Sequence, residues 1–343
     1  MGYLTMSDSN CTTNHDIHQY LSPVVYILVL LLGLPTSIYS LHHAWQQVRV
    51  RNELGIYLLN LTVSDILNLC SLPFWLHYFF HHDNWLLGEW WCKICGLFLY
   101  ENIYITIGFL CCISVDRYLA VVYPFRFQRF RSVKASVIVS ACIWIKEIGV
   151  CTVVILQKEV TVDGENHKIC FEHYPMTDME RLVNYYRFFV GFLFPLVIIT
   201  FSYIRILKAV KKSTGTQHAQ KLRIKYLVSS TIAIFLLCFS PYHIFLLIRT
   251  IFEKKDCVLI GTIFNYYHFS LLLTSLNCLA DPVLYCFVSE SIQKEMLRAK
   301  SQCGQLSCCC KKSKTVETTE NNTPDINGST ALTNLLPSSI GRC

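Results

Sequence analysis

Seven long apolar runs limit what this chain can fold into, because each is long enough to cross a lipid bilayer. About 20 apolar residues span the hydrocarbon core as a helix. Only 15% of the residues are charged and the mean hydropathy is +0.38, whereas soluble domains carry roughly 25% charged residues. The runs lie near residues 20–44, 54–80, 92–122, 135–156, 185–210, 226–250 and 259–288. We therefore predict an all-α membrane protein built as a bundle of seven transmembrane helices.

The distribution of lysine and arginine predicts the orientation, since these residues accumulate in cytoplasmic loops. The first, third and fifth connections (46–53, 117–134 and 205–225) contain fourteen of them, and the second, fourth and sixth contain seven. This count places the N-terminus outside the cell. The predicted domains are an extracellular tail (1–19), the helix bundle (20–288), a short amphipathic eighth helix on the inner membrane surface (289–300) and a disordered cytoplasmic tail (301–343).

The eighteen cysteines are interpreted by compartment, because disulfides persist on the extracellular side. The four outer cysteines allow three pairings, of which we favour Cys92–Cys170 and Cys11–Cys257. The first would tie the long outer loop over the helix mouths, and the second would hold the tail against the last helix. A cytoplasmic cluster favours palmitoylation over zinc binding; it consists of Cys303, Cys308, Cys309 and Cys310. Asn10 begins a glycosylation sequon on the outer tail.

Polar residues within the apolar runs indicate functional sites, because they are costly to bury in a membrane. Span two contains NLTVSD (60–65), and span three ends in SVDRYLAVVYP (114–124). Span six contains FLLCFSPYH (235–243), in which Pro241 removes a backbone donor and is expected to kink the helix. Span seven contains LNCLADPVLYCF (276–287).

In this order, and together with Trp144, Pro195, Tyr203 and the Cys92/Cys170 pair, the motifs resemble the rhodopsin-like G-protein-coupled receptors over about residues 15–300. The segments HHDNW, YENIYI, CFEHYP, NYYRF, PYH and ADPVLYCFVSE resemble the proton-sensing branch of that family. The resemblance implies a cell-surface receptor for extracellular protons, coupled to a heterotrimeric G protein of the phospholipase-C-linked class. It also implies arrestin, receptor kinases and membrane lipids as partners. We do not expect this protein to be an enzyme. We also expect no cofactor, no resident metal and no nucleic-acid partner.

The resemblance assigns roles to residues near the cytoplasmic side and beneath the outer cavity. Asp116 would neutralise Arg117 until Arg117 is released as a strong donor to a partner. Phe239 stands where most of the wider family has tryptophan, and Asp281 stands where it usually has asparagine. The predicted G-protein switch consists of Asp116, Arg117, Tyr118, Tyr203 and Tyr285. The predicted activation pivot consists of Phe239, Pro241 and Pro282.

The resemblance to the proton-sensing branch implies that three acids in the spans form a buried set that is coupled to activation, namely Asp65, Glu147 and Asp281. Asp65 and Asp281 would oppose each other's ionisation, because burial and like charge both disfavour a second negative charge. A sodium ion with Asn277 and Thr106 nearby is one occupant of such a site. A shared proton is the other, and it is the one we expect.

Nine of the twelve histidines fall in or near the outer half of the predicted membrane-spanning bundle. Individually they fit hydrogen-bonding side chains at the membrane interface, and a zinc site with Asp83 or Glu172 remains open. Ligands for haem would need matched depth on facing helices, so a haem site is disfavoured. Histidine alone has a reference pKa near 6.5, inside the physiological range. The resemblance assigns proton sensing to His15, His18, His82, His173, His243 and His268.

Two other functions remain open at this point. A receptor for a lipid or another small ligand would have the same fold, with pH only modulating its affinity. A proton-coupled transporter would also use buried acids, but transporters usually contain internal repeats and this sequence contains none.

Overall fold

The computed structural model describes residues 3–5, 12–14, 16–127, 131–156, 161–162, 168–170, 176–212, 218–252 and 257–288. All of these residues belong to one compact unit, Met1–Ile292. The predicted eighth helix and the cytoplasmic tail lie outside the described residues and stay predictions.

Seven helical rods follow one another within the described residues. The first four are α1 (Asp16–Arg49), α2 (Glu53–Phe80), α3 (Glu89–Val122) and α4 (Val133–Leu156). Rod α5 joins Asp178–Phe188 to Phe194–Lys212 through a π-helical turn, Phe189–Leu193. Rod α6 joins His218–Ile234 to Ser240–Phe252 through a second π-helical turn, Phe235–Phe239. Rod α7 consists of Cys257–Ser275 and Asn277–Val288, which meet at Leu276.

Each rod contains one of the seven predicted apolar runs, so the predicted seven-helix bundle is confirmed. Six of the helices are long and apolar enough to cross a membrane, and the seventh run is divided at Leu276 into two shorter helices. Large apolar side chains such as Leu31, Ile145 and Leu237 are exposed on the outside of the bundle. Exposed apolar surface of this kind fits a bundle whose solvent is lipid tails.

The interior of the bundle contains two clusters of buried apolar side chains. One is centred on Phe109, Phe235 and Phe239, where α3 meets α5 and α6. The other contains Trp75 and Trp85 near the outer ends of α2 and α3. Polar side chains such as Asp65 and Asn102 are buried between the helices as well, so the interior of the bundle is not purely apolar.

Both π-helical turns stand next to a proline. Pro195 and Pro241 lack a backbone N–H, so neither can donate to the carbonyl four residues earlier, at Gly191 and Leu237. Those carbonyls lie within the turns Phe189–Leu193 and Phe235–Phe239. The irregularity predicted at Pro241 is therefore present as a π-helical turn, an element that often occurs at functional sites.

Two short antiparallel hairpins lie outside the bundle. Strand β1 (Tyr3–Thr5) pairs with β2 (Thr12–Asn14), and β2 lies against α7. Strand β3 (Thr161–Val162) pairs with β4 (Lys168–Ile169). The predicted Cys92–Cys170 disulfide is present and ties the end of the second hairpin to α3. Cys11 and the side chain of Cys257 lie outside the described residues, so their pairing stays a prediction.

Candidate functional site

The segment HHDNW (81–85) follows α2 at the mouth of the bundle, in the connection to α3. Trp85 is buried, its indole Nε1 donates to the Gly88 carbonyl at 2.7 Å, and its backbone N–H donates to the Lys168 carbonyl at 2.7 Å. The side-chain oxygen of Asn84 accepts from the Lys168 N–H at 3.1 Å. Two of the five residues of this motif, Asn84 and Trp85, therefore fix the second hairpin to the end of α2.

The two histidines of this segment have different surroundings. His81 Nδ1 contacts the His77 carbonyl oxygen at 2.8 Å, and the two rings stack with centroids 4.0 Å apart. His82 is exposed, and both His82 and Asp83 have positive φ angles of 53° and 58°. A positive φ is uncommon for residues other than glycine, so the chain turns sharply at the position where the predicted sensing histidine stands.

Among the predicted sensing histidines whose side chains the structure describes, His243 is the most enclosed, with no solvent-exposed surface. Its ring stacks on Phe192 with centroids 4.4 Å apart, and the edges of Tyr104 and Tyr242 complete the enclosure. Nδ1 contacts the carbonyl oxygen of Phe239 at 2.8 Å, so the N–H of this tautomer is on Nδ1. Among the described residues, Nε2 has no hydrogen-bond partner. The ring therefore lies directly on the predicted pivot with one nitrogen unsatisfied.

His268, on α7, is also buried and meets Tyr267 edge-on with ring centroids 5.4 Å apart. The remaining predicted sensors cannot be placed at the level of side chains. His15 and His173 lie outside the described residues, and the side chain of His18 does so as well. The predicted convergence of His82, His173 and His268 beneath the disulfide stays a prediction.

Asp65 and Asp281 form a buried carboxylate pair between α2 and α7. Asp65 Oδ1 accepts from Asn102 Nδ2 at 2.9 Å and lies 3.5 Å from the Cys278 sulfur. Asp281 is close enough for the two charges to act on each other, yet neither of its oxygens has a hydrogen-bond partner among the described residues. Asn277, which precedes Cys278 in the sequence, donates from Nδ2 to Thr106 Oγ1 at 3.1 Å.

The third predicted acid, Glu147 on α4, belongs to a different group. Its carboxylate pairs with Lys146 at 2.6 Å and lies near Glu101 of α3. Successive residues of an α-helix point about 100° apart. Glu101 therefore faces α4, whereas its neighbour Asn102 faces Asp65. The three acids that were expected to form one set therefore belong to two groups, which lie on different faces of α3.

Arg187 of α5 completes the second group. The guanidinium is 5% exposed and lies over the rings of Tyr100 and Tyr104, 4.5 Å and 5.5 Å from their centroids. Its Nε and Nη2 have no hydrogen-bond partner among the described residues. Both carboxylate oxygens of Glu101 also lack one there, and the Cys151 thiol is a polar group beside them. This part of the outer half therefore holds a buried cation and a buried acid that are not directly paired.

Near the C-terminal end of α3, Asp116 holds Arg117. Arg117 Nε donates to Asp116 Oδ2 at 3.0 Å, and Nη2 donates to the same oxygen. The ring of Tyr118 lies edge-on to Phe201 of α5, with centroids 5.7 Å apart, and Tyr203 OH lies 3.4 Å from Ser229 Oγ of α6. The side chain of Tyr285 lies outside the described residues. In this conformation Arg117 is paired within the bundle.

Several further sequence predictions fall outside the described residues. These are the glycosylation site at Asn10 and the palmitoylation sites at Cys303, Cys308, Cys309 and Cys310. Within the ranges given above, no group of three or more histidine, cysteine, aspartate or glutamate side chains could hold a metal ion.

Sequence reasoning did not identify Glu101, Arg187 or Asn102 as site residues, although a signal was present. Glu101 and Asn102 lie in YENIYI and Arg187 lies in NYYRF, two segments that carried the family resemblance. Each also interrupts an apolar run with a polar or charged side chain, which is itself a functional indication in a membrane helix.

Comparisons with known proteins bear on the whole chain. A family profile described as 7 transmembrane receptor (rhodopsin family) matches residues 38–285. Human G-protein coupled receptor 68 is 51% identical over 330 residues, which cover 96% of this chain and 90% of that protein. The mouse protein of the same name is 50% identical with the same coverage. Human G-protein coupled receptor 65 is 39% identical over 302 residues, covering 85% of this chain and 89% of the relative.

These matches confirm the resemblance that the motifs predicted. Within the proton-sensing branch, IHQYLSPVVY (17–26) and CFEHYP (170–175) favour the ovarian cancer G-protein-coupled receptor, which is G-protein coupled receptor 68. The similarity extends over nearly the whole chain and is not confined to the motifs.

Proposed function

Because this chain belongs to the rhodopsin family of seven-transmembrane receptors, we propose that extracellular protons are the stimulus to which it responds. As a G-protein-coupled receptor it is a multi-pass protein of the cell membrane that signals to a heterotrimeric G protein. Its similarity to G-protein coupled receptor 68, a proton-sensing receptor, supports the choice of stimulus.

The N-terminus lies outside the cell in this proposal, so the mouth formed by HHDNW and the second hairpin faces the extracellular medium. Two observations support this orientation. Basic residues are twice as frequent in the first, third and fifth connections as in the others. The Cys92–Cys170 disulfide requires an oxidising compartment, and it lies at the end of the bundle assigned to the exterior.

The observation that carries the proposal is the surroundings of His243. A charged imidazole in this place would be desolvated among aromatic rings, with Arg187 as the nearby charge and no acidic partner among the described residues. Burying an uncompensated charge is costly, so the conformation seen here holds His243 neutral. Proton uptake at His243 therefore favours a different conformation, and the ring's bond to Phe239 transmits that change to the pivot.

One histidine does not supply enough free energy for a complete switch. Moving an equilibrium from 1:99 to 99:1 takes about 5.5 kcal/mol of differential binding, and one unit of pKa difference between two states is worth about 1.4 kcal/mol. About four groups, each shifted by one unit, suffice. His82, His173 and His268 complete such a set with His243, and Asp65, Glu147 and Asp281 are further proton-binding groups.

On the cytoplasmic side, Arg117 is the group that the G protein takes over once Asp116 releases it. We assign the G protein to the phospholipase-C-linked class, and arrestin and receptor kinases to the same face after activation. Basic residues at the end of α5 and in the following connection suit both the G protein and anionic lipids; they are Arg205, Lys208, Lys211, Lys212, Lys221, Arg223 and Lys225.

A pH titration of second messengers in transfected cells tests this function. We expect inositol phosphate output to rise as the external pH falls from about 8 towards 6, the range that brackets the histidine pKa. Cyclic AMP measured in the same cells reports whether another G-protein class couples instead. A flat response in both messengers, with the receptor present at the cell surface, would rule out protons as the stimulus.

The buried Arg187 favours a second candidate, a receptor for a small anionic ligand such as a lipid with an acidic headgroup. Two of its nitrogens are unpaired among the described residues, and guanidinium is well suited to carboxylate and phosphate. In this case acid alone gives no response in lipid-free medium. Adding the anionic lipid at constant pH would then restore signalling to the wild type and not to an Arg187→Gln variant.

A further inference from the structure

Four charged side chains form a continuous chain of alternating sign at the cytoplasmic side of the bundle. Asp116 binds Arg117 through Oδ2, and its other oxygen, Oδ1, accepts from Arg131 Nε at 3.0 Å. Arg131 Nη2 in turn donates to Glu53 Oε1 at 2.6 Å. The order of charges from Arg117 to Glu53 is therefore plus, minus, plus, minus.

These residues come from three different places in the fold. Asp116 and Arg117 lie in the last two turns of α3, and Glu53 is the first residue of α2, behind the capping residue Asn52. Arg131 stands two residues before α4. Side-chain exposure is only 5% for Asp116 and is near 20% for Arg117, Arg131 and Glu53. The pairs are thus shielded from water more than ordinary surface ion pairs are.

Release of Arg117 to a G protein leaves the buried Asp116 carboxylate in need of a partner. An isolated buried charge is strongly unfavourable, and removing one member of a buried pair is costly for that reason. Arg131 is already bonded to the second oxygen of Asp116 before Arg117 leaves. Its planar guanidinium presents several donors in a fixed fork, so it can hold Asp116 and Glu53 at the same time.

We propose that Arg131 is a standby counter-ion that lowers the cost of releasing Arg117 from Asp116. It acts through Asp116 as a positioning residue, and the inference rests on the proposed role of Arg117 as the G-protein contact. Glu53 balances the charge of Arg131 and so weakens its hold on Asp116. The opposite possibility is that Arg131 locks the resting state by fastening α2, α3 and α4 together.

The two possibilities predict opposite signs for G-protein binding. The affinity is measured between purified full-length receptor and the heterotrimer that the wild type binds most tightly, without nucleotide. If Arg131 is the standby counter-ion, Arg131→Gln lowers this affinity about tenfold, the equivalent of about 1.4 kcal/mol. Arg131→Lys restores part of the loss, because it returns the charge without the fork. Unchanged or tighter binding by Arg131→Gln would overturn the proposal.

Two further variants separate this role from a structural one. In an Asp116→Asn background there is no carboxylate to satisfy, so Arg131→Gln should have no further effect on affinity. Glu53→Gln keeps or raises the affinity, whereas it would lower the affinity as much as Arg131→Gln does if the bonds of Arg131 only maintained the fold of the cytoplasmic side. An equal loss in the Asp116→Asn background, or a loss with Glu53→Gln, would contradict the proposal.

The matched control is Arg126→Gln, an exposed arginine in the same connection that lies over the Phe127 ring. It should bind the G protein as the wild type does. The thermal stability of every variant is measured in detergent, so that loss of folded receptor is not mistaken for loss of affinity. Because the assay compares affinities at one fixed pH, it gives a result even if protons are not the stimulus. Failure of the proton proposal and failure of the counter-ion proposal are therefore distinguishable.

Discussion

At the scale of single residues, the two carboxyl groups of the Asp65/Asp281 pair differ in their hydrogen bonding. Asp65 accepts from the amide of Asn102 at 2.9 Å, whereas both oxygens of Asp281 lack a partner among the described residues. A hydrogen bond to the ionised form stabilises the negative charge of a carboxyl group, whereas burial without a hydrogen bond disfavours that charge. The proton expected on this pair therefore belongs mainly to Asp281.

This assignment predicts that Asp281→Asn is tolerated better than Asp65→Asn. Asparagine replaces a neutral acid at position 281 with a neutral group of the same shape. At position 65 it turns the charge-assisted bond from Asn102 into a weaker neutral one, and it replaces the other carboxylate oxygen with an NH2 group, which costs about 1–3 kcal/mol when it is buried without a partner. Thermal unfolding of the purified variants in detergent checks the order. A larger loss of stability in Asp281→Asn than in Asp65→Asn would contradict it.

The positions of Asp65, Asp281 and Glu147 could be predicted from the sequence, because a charged residue within an apolar run is conspicuous. Their grouping could not. It depends on which face of α3 each of Glu101 and Asn102 presents to its neighbours, and contacts such as Asn102 to Asp65 join residues 37 positions apart. The proposed role of Arg131 could likewise not be predicted, because the preference of basic residues for cytoplasmic connections already accounts for an arginine at this position.

At the scale of elements, the π-helical turn of α5 brings its backbone unusually close to α3. A Cβ atom added at Gly191 would lie 2.9 Å from two carbons of the Tyr104 ring, which is also in contact with His243. Glycine is required here for close approach of the helices. The contact connects the turn Phe189–Leu193 with the aromatic enclosure around His243.

Gly191→Ala is therefore expected to destabilise the receptor by about 1–3 kcal/mol, the usual cost of overpacking. The matched control is Gly149→Ala on α4, where an added Cβ would have no atom within 4 Å. That change should be neutral or stabilising by about 0.5–1 kcal/mol, since glycine is a poor helix residue. Both values come from thermal unfolding in detergent, and equal stability of the two variants would refute a requirement for glycine at this contact.

The helices themselves were predictable, because length and hydropathy mark each apolar run. The details that position the site were less so. Pro241 indicated an irregularity without indicating a π-helical turn, and the π-helical turn before Pro195 was not expected. The break at Leu276 had no proline or glycine to mark it. The short strands of the tail and of the second hairpin also went unpredicted, since strands of two or three residues carry too little alternation to recognise.

At the scale of the whole molecule, the titratable and charged groups are distributed from one membrane face to the other. The exposed His82 lies at the mouth that the proposed orientation places outside the cell, His243 is buried in the bundle beside the pivot, and the Asp116–Arg117 pair lies near the C-terminal end of α3. The apolar cluster of Phe109, Phe235 and Phe239 also contains Tyr104, Phe192 and Tyr242, the three rings that enclose His243. In the proposed function, proton uptake at His243 and release of Arg117 would be coupled through the packed side chains of this bundle.

The most direct test of proton sensing through His243 is the pH midpoint of second-messenger output for His243→Phe. Phenylalanine fits among the same aromatic rings and cannot take a proton, so it favours the resting conformation. We predict a midpoint at lower pH and a shallower slope than in the wild type. His42→Phe, an exposed histidine at the cytoplasmic end of α1 that bonds Gln46, should retain both. A His243→Phe receptor with the wild-type midpoint and slope would contradict the central claim.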